Sequence, residues 1–181
     1  MAVGRCACSD QALAHRTLAR TDAQYLNAQV LAIEGYKVLT SIEAALAGGI
    51  ILEARDGCFR DIASVHGTWR RGQETVPAAE IVGQLLIKLG IARATWYLDS
   101  PVSKSGRLKT LLRETAAGWP WEIELVPNPD TILYETDRFV ATADSGILDG
   151  CHRWVNLART AVEQFVPDAT IVRFSAAKRD P

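Results

Sequence analysis

Three apolar stretches of the sequence end on an acidic side chain that a turn or a helix start follows at once. Glu34 follows VLAI, Asp99 follows TWYL, and Asp144 follows FVATA. An unpaired charge at the mouth of a sheet is costly, and crowded carboxylates raise one another's proton affinity unless a cation neutralises them. Oxygen ligands of this kind suit Mg²⁺ or Mn²⁺. The sequence therefore predicts one divalent cation shared by these three residues.

A metal held in this way can orient a phosphodiester, activate a water and stabilise the departing oxygen. The loop after Asp99, SPVSKSGR, offers groups for phosphate just before a helix start, which attracts anions. The predicted phosphate-binding residues are Ser103, Lys104, Ser105 and Arg107. The stretch RDGCFRD adds Asp56 and Asp61 as further candidate metal ligands.

Each of these features also has a purely structural interpretation. Asp144 before SGILD is well placed to cap a helix, and Asp99 before Ser-Pro can organise a turn. Glu34 is harder to explain in this way, because Glu is a poor helix cap and Gly35 leaves it exposed at the edge. The Ser/Lys/Arg loop can equally be an ordinary solvated loop. The WPW stretch at 119–121 fits either the edge of the core or a base-stacking surface.

The elements that must position these residues alternate along the chain. The predicted strands cover residues 29–34, 50–54, 93–99, 121–128, 138–144 and 169–175. The predicted helices cover residues 36–47, 77–90, 105–118 and 146–166, with another inside 55–71 that aligns Ile62, Val65 and Trp69. This order predicts a three-layer, Rossmann-like α/β fold, with a mostly parallel sheet covered by helices on both faces. Right-handed crossovers then bring the carboxyl ends of the strands to one edge.

Composition narrows the class of protein. The chain has 181 residues, 48% hydrophobic and 23% charged, with a formal net charge of −1. These values predict one globular domain over 28–181, preceded by an arm or peripheral helix over 1–27. A local basic groove is left open, but no global basic field indicates nucleic acid or a membrane. No apolar run approaches the ~20 residues of a membrane span, and the start lacks a signal-peptide core, so we expect a cytoplasmic protein.

The cysteines do not favour a metal site. Zinc sites usually contain a CxxC pair, which this sequence lacks, and its His residues are scattered. We expect buried or free thiols in a reducing compartment. A homo-oligomer is left open. The four cysteines are Cys6, Cys8, Cys58 and Cys151.

Several separate stretches together carry a family resemblance. They are IEGYKVLTSIEAALAGG, RDGCFRDIASVHGTWRR, WYLDSPVSKSGRL, VPNPD and VATADSGILD. This combination resembles an uncharacterised prokaryotic family, domain of unknown function 434 with its companion 5616.

The pattern is also similar to the PIN/NYN group of metal-dependent nucleases, and this implies a PIN-like fold. The ATADS stretch matches the Thr-x-Asp-Ser motif of that group. The match implies a ligand role for Asp144, with Thr142 and Ser145 as supporting groups, while Asp99 matches a middle acidic position. The first motif, Asp-Gly-x-Asn, is altered here to Glu34 and Lys37. Lys37 adds a cation that can replace the metal as counter-charge.

The resemblance implies a divalent-metal-dependent phosphodiesterase that acts on RNA rather than DNA, weakened by the altered first motif. The alternative is a non-catalytic module on the same fold that binds nucleic acid or protein, with Lys37 paired to the acids. A third interpretation is a Toprim-like or nucleotide-binding domain. Glu34-Gly35 matches the first Toprim motif, but Ser100-Pro101 stands where Asp-x-Asp is required, and no GxxxxGK loop is present.

Overall fold

The computed structural model describes residues 2–62 and 72–174. Its helices are α1 (Ala2–Cys6), α2 (Asp10–Ala19), α3 (Gly35–Leu46), α4 (Thr75–Lys88), α5 (Ser105–Thr115), α6 (Pro129–Glu135), α7 (Ser145–Leu148) and α8 (Leu157–Phe165). Its strands are β1 (Val30–Glu34), β2 (Ile50–Glu53), β3 (Phe59–Asp61), β4 (Arg93–Asp99), β5 (Trp121–Val126), β6 (Phe139–Ala141), β7 (Trp154–Val155) and β8 (Thr170–Arg173). The predicted helix through Val65 and Trp69 falls on residues 63–71, outside the described residues.

Five strands form one parallel sheet in the order β5-β4-β1-β6-β7. Strand β1 lies at its centre, because Ile33 pairs with Trp96 of β4 on one side and with Ala141 of β6 on the other. The chain moves outward from β1 through β4 to β5, and then crosses to the other side for β6 and β7. The strand order therefore reverses between β1 and β6. Open parallel sheets bind ligands at such a point, outside the carboxyl ends of the strands.

Side chains of the central strand alternate between two apolar layers. Leu31 and Ile33 belong to the larger core, which also contains buried residues of α3, α4, α5 and α8. Ala32, between them, belongs to a second core with Leu133 of α6 and Ile147 of α7. A strand that is buried on both faces reads as a continuous apolar run, as β1 does. The predicted three-layer, Rossmann-like α/β fold is confirmed.

A second sheet contains three strands in the order β3-β2-β8. Leu52 of β2 lies opposite Arg60 in the antiparallel pair with β3 and opposite Val172 in the parallel pair with β8. Strand β3 is not among the strands predicted from the sequence. The β2–β3 connection turns at Gly57, whose φ of +78° lies in the left-handed region that glycine adopts at no steric cost.

The predicted long helix over 146–166 is wrong. Helix α7 ends at Leu148, β7 joins the edge of the main sheet, and α8 starts at Leu157. Trp154 is fully buried, and its indole Nε1 donates to the carbonyl oxygen of Arg16 at 2.7 Å. Gly150 forms a close contact, because a Cβ there would lie 1.8 Å from Cε2 of Tyr134. The contacts that Trp154 and Gly150 make with distant parts of the chain thus override the helical pattern of the sequence.

Helices α1 and α2 fall within the predicted N-terminal arm. Ser9 caps α2, since its Oγ accepts the N–H of Ala12 at 3.1 Å. The boundary at residue 28 stays a prediction. The four cysteines are free. Among residues 2–62 and 72–174, no helix has both the length and the apolar composition that a membrane crossing requires.

We predict that Gly83→Ala lowers the free energy of unfolding. A Cβ at position 83 of α4 would lie 1.9 Å from Cζ3 of Trp119, whose rigid ring packs at a tilt against Trp121 with ring centroids 4.9 Å apart. Alanine favours a helix over glycine by about 1 kcal/mol, but overpacking costs up to about 3 kcal/mol. The matched control is Gly106→Ala in α5, where a Cβ would meet nothing within 4 Å, and it should stabilise the protein. Urea unfolding measures the free energy of unfolding of both variants. A stabilised Gly83→Ala protein would contradict the close packing of Trp119 against Gly83.

Candidate functional site

Glu34 ends the central strand inside the protein, where it is 5% exposed. Thr142, just after β6, donates from Oγ1 to Oε2 of Glu34 at 2.7 Å and accepts the backbone N–H of Asp144 at 2.9 Å. One buried hydroxyl therefore ties the carboxyl end of β1 to the segment after β6. This contact lies at the point where the strand order reverses.

Asp144 has two different partners for its two carboxylate oxygens. Oδ1 accepts the N–H of Gly146 at 2.8 Å and so caps α7. Oδ2 lies 3.3 Å from Nζ of Lys37. Asp144 is therefore a helix cap, as the structural interpretation of the sequence suggests, and also one half of an ion pair at the edge of the sheet.

Lys37 lies in the first turn of α3, and its side chain is 48% exposed. Burial raises the pKa of Glu34, Asp99 and Asp130, and the positive charge of Lys37 acts in the opposite direction on all three. One ammonium group thus pairs with Asp144 and acts electrostatically on carboxyl groups of three further segments of the chain. We call the set of Glu34, Asp99, Asp130 and Asp144 the acidic cluster.

Asp130 is the member of the acidic cluster that the sequence reasoning did not identify. It lies in the first turn of α6, just after β5, and its N–H donates to Oδ1 of Asn128 at 3.0 Å. The signal was present as Asn-Pro-Asp, a helix start directly after the end of an apolar strand. The strand predicted over 121–128 includes Asn128, the N-cap of α6, so the sequence analysis predicts no helix start before Asp130.

The acids of the cluster act on one another. Burial and the negative charge of Asp130 raise the pKa of Asp99. Burial and the charge of Asp144 raise the pKa of Asp130. Asp130 and Asp144 also act on Glu34 in the same direction. The acidic cluster therefore holds more negative charge than the ammonium of Lys37 balances.

Burial is the main reason that the pKa of Glu34 is raised to about 8. Lys37 and the hydrogen bond from Thr142 act in the opposite direction but do not outweigh it. At neutral pH most molecules therefore carry a proton on Glu34. Beside the cluster, burial and the charge of Asp99 raise the pKa of Tyr36 to about 12.

The predicted phosphate loop follows β4 at the same edge of the sheet. Ser103, Lys104 and Arg107 are exposed, and Lys104 adopts a left-handed conformation with φ of +68°. Ser105 is buried, and its Oγ donates to the carbonyl oxygen of Ser100 at 3.2 Å. Three of the four predicted side chains thus face solvent, whereas the Ser105 hydroxyl is used within the loop.

Asp56 and Asp61 are paired with arginines. The carboxylate of Asp56 is 1% exposed and pairs with Arg16 at 2.5 Å and Arg60 at 2.7 Å. Burial alone would raise the pKa of Asp56, but the hydrogen bonds and charges of these arginines and the N–H of Cys58 lower it. Asp61 pairs with Arg5 at 2.9 Å.

The two arginines on Asp56 also hold the segment that carries Asp144. Arg60 donates to the carbonyl oxygen of Ala143 at 2.8 Å, and Arg16 donates to that of Ser145 at 3.2 Å. The backbone is thus fixed on both sides of Asp144. Arg16 also donates from Nη2 to Asp149, at the end of α7, at 2.7 Å. We call the set of Arg16, Asp56 and Arg60 the arginine clamp.

In the side-chain conformations of this structure, no three His, Cys, Asp or Glu residues in the described ranges are arranged to hold a metal ion. The predicted sharing of one cation by Glu34, Asp99 and Asp144 therefore stays a prediction. In this structure the positive charge beside Asp144 comes from Lys37, 3.3 Å away.

The fold and the acidic cluster define a Rossmann-like α/β protein with carboxylates gathered where the strand order reverses. The chain belongs to the family described as Domain of unknown function (DUF5616), which its residues 23–160 match. It is similar to the uncharacterized protein MJ0935 of Methanocaldococcus jannaschii, with 35% identity over 118 residues, or 64% of this chain. The match spans 56% of that archaeal protein's length. No solved structure matches the chain.

Glu34→Gln should flatten the dependence of stability on pH. The pKa of Glu34 is about 8 in the folded protein, against an ordinary value of 4.5, so the folded state binds its proton more tightly. The contribution of Glu34 to stability is therefore full below its ordinary pKa of 4.5 and is lost as pH rises from there through about 8. Glutamine keeps an acceptor for Thr142 but cannot ionise.

Thermal melts with chelator at about pH 5, about pH 7 and about pH 9 measure this effect. The Glu34→Gln protein should gain stability relative to the natural protein as pH rises. Glu80→Gln, at an exposed position of α4, is the control and should follow the natural profile. Parallel profiles for all three proteins would show that Glu34 does not ionise in this range.

Asp56→Asn should be strongly destabilising, because it leaves the buried guanidinium of Arg60 without its carboxylate. Breaking a buried ion pair from one side costs about 3–5 kcal/mol. Asp61→Asn is the matched control, since the side chains of Asp61 and Arg5 are more exposed than those of Asp56 and Arg60, and it should cost less than Asp56→Asn. Urea denaturation measures both losses. Equal small losses would show that the arginine clamp contributes little to stability.

Proposed function

We propose that the acidic cluster binds a divalent cation, Mg²⁺ or Mn²⁺, and hydrolyses phosphodiester bonds in RNA. The observation that carries this proposal is the uncompensated charge of the cluster. Its four acids come from four segments. Burial and the charges of neighbouring acids raise the pKa of Glu34, Asp99 and Asp130, although the charge of Lys37 acts in the opposite direction. A divalent cation would supply the missing positive charge.

The chemistry of the donors fits such a cation. All four cluster side chains offer carboxylate oxygens, the ligands that Mg²⁺ and Mn²⁺ prefer. Tyr36 adds a second observation. It is only 8% exposed, the charge of Asp99 acts on it, and its hydroxyl has no hydrogen-bond partner among the described residues. A buried hydroxyl without a partner is costly, so an oxygen held at the cluster would stabilise it.

The cation must displace two positive charges that are already in place. One is the proton on Glu34, and the other is the ammonium of Lys37 on Asp144. Lys37 is free to move, because half of its side chain is exposed and its stem is flexible. After release, its ammonium can bind a non-bridging phosphate oxygen as a point charge.

A bound divalent cation would orient the phosphodiester, lower the pKa of a water and stabilise the departing oxygen. The chain's own groups hold the substrate around it. Ser103, Lys104 and Arg107 are exposed on the loop after β4, and we assign them to the phosphates that flank the cleaved bond. RNA rather than DNA is proposed because of the resemblance of ATADS to the motif of PIN/NYN nucleases.

A non-catalytic binding module is the second candidate, and the ion pair between Lys37 and Asp144 favours it. If this pair is the permanent counter-charge, the cluster needs no metal. An ammonium cannot activate a water as a divalent cation does. The two candidates therefore differ in metal binding and in cleavage.

Calorimetric titration with Mn²⁺ and cleavage of single-stranded RNA test the proposal together. Binding should release about one proton at neutral pH, and the affinity should rise as pH passes through about 8, because Glu34 must lose its proton. The double variant Glu34→Asp with Lys37→Asn should bind Mn²⁺ more tightly and cleave faster than the natural protein. Cleavage should stop when chelator is added.

Lys88→Asn is the matched control for charge. Lys88 donates to Gln164 at the end of α4, so the variant removes one positive charge outside the acidic cluster. It should bind Mn²⁺ as the natural protein does. Absence of Mn²⁺ binding in the natural protein and in the double variant would favour the binding module. A double variant that is slower than a briskly cleaving natural protein would show that Lys37 takes part in substrate binding or catalysis.

A further inference from the structure

A groove of about 250 Å³ opens between α6 and α7 on one face of the sheet. Its lining residues are Asp130, Thr131, Tyr134, Glu135, Gly146 and Ile147. The groove adjoins the acidic cluster at two points. Asp130 belongs to both, and the N–H of Gly146 donates to Asp144. A substrate at the cluster would therefore extend into this groove.

Tyr134 forms an aromatic wall of the groove and is 48% exposed. The other side of its ring lies against Gly150. A Cβ at position 150 would lie 1.8 Å from Cε2, 1.9 Å from Cζ and 2.3 Å from the hydroxyl oxygen of Tyr134. Gly150 therefore lets the ring pack directly on the backbone. The packing places one side of an exposed aromatic ring against the backbone beside the cluster.

The charges of the groove determine which part of a nucleic acid can enter it. Its walls carry the carboxylates of Asp130 and Glu135, which repel a phosphodiester. A neutral base is not repelled, and carboxylates accept hydrogen bonds from an exocyclic amino group such as that of cytosine. Aromatic side chains offer a stacking surface for any unpaired base. Shape and charge thus favour the base and exclude the backbone.

We propose that this groove binds one unpaired, amino-bearing nucleobase next to the phosphodiester at the acidic cluster. The proposal rests on the proposed function and deepens it, because it makes single-stranded RNA the substrate. A base within a duplex is stacked and paired, so it cannot reach Tyr134. Tyr134 supplies the stacking face, and Glu135 accepts from the amino group.

The first test measures base binding without any metal. The probe is a fluorescent cytidine oligomer with methylphosphonate linkages, which are uncharged and are not cleaved. Fluorescence anisotropy in chelator compares it with an abasic oligomer and a uridine oligomer of the same linkage. The natural protein should bind the cytidine oligomer best and the abasic oligomer least. Equal binding of the cytidine and abasic oligomers would overturn the proposal, and this comparison needs no variant.

The second test uses variants of the aromatic wall. Tyr134→Ala should weaken binding of the cytidine oligomer by about 5- to 150-fold, the range for losing one base–aromatic stack. Tyr134→Phe keeps the ring and should bind within about twofold of the natural protein. Gly150→Ala should resemble Tyr134→Ala, because its Cβ displaces the ring. Circular dichroism checks that each variant is folded. A Tyr134→Ala protein that binds as the natural protein does would overturn the proposal.

Cleavage assays with Mn²⁺ separate this proposal from the proposed function. Loss of stacking should raise the KM for single-stranded RNA in Tyr134→Ala. Cleavage with the same KM in the natural protein and Tyr134→Ala would refute the base site and leave the proposed function standing. Tyr134-dependent base binding without any cleavage would support the base site and refute the nuclease function.

Discussion

The buried carboxyl group of Glu34 is the constraint on which the carboxyl edge of the sheet depends. It ends the central strand and is only 5% exposed, so its charged form is poorly solvated. Thr142 donates to it and also fixes the backbone of Asp144, which in turn caps α7 and pairs with Lys37. One polar group at the end of an apolar strand thus determines how three neighbouring segments meet.

The arginine clamp supports the same edge from the opposite side. Buried arginines are tolerated only with a carboxylate partner, and Asp56 supplies it for both. Their remaining donors reach the carbonyl groups of Ala143 and Ser145. The position of Asp144 is therefore set by charges that never touch its carboxylate. This arrangement is typical of a site whose geometry has to be maintained.

Sequence patterns were sufficient to predict the structure of a segment where one physical signal dominated its sequence. The apolar runs of β1 and β4 and the amphipathic face of α3 lead directly to the three-layer fold and to acids at its carboxyl edge. The long helix failed because Ile147, Cys151 and Trp154 have the helical spacing i, i+4 and i+7 although the chain turns at Gly150 between them. Asp130 was missed because its helix has only two turns, and β3 because it has three residues. The arginine clamp joins residues far apart in the chain, so no local pattern could reveal it.

The place of Arg16 has a consequence for the evolution of the family. The family match covers residues 23–160, so Asp149 lies inside it and Arg16 lies outside. Asp149 accepts from both Nε and Nη2 of Arg16. In a relative with a different N-terminal segment, the acid at this position loses its partner. Residues 16 and 149 should therefore covary between lineages, with the acid retained where the arginine is inherited. This pair would distinguish members that share the N-terminal helix from members that replaced it.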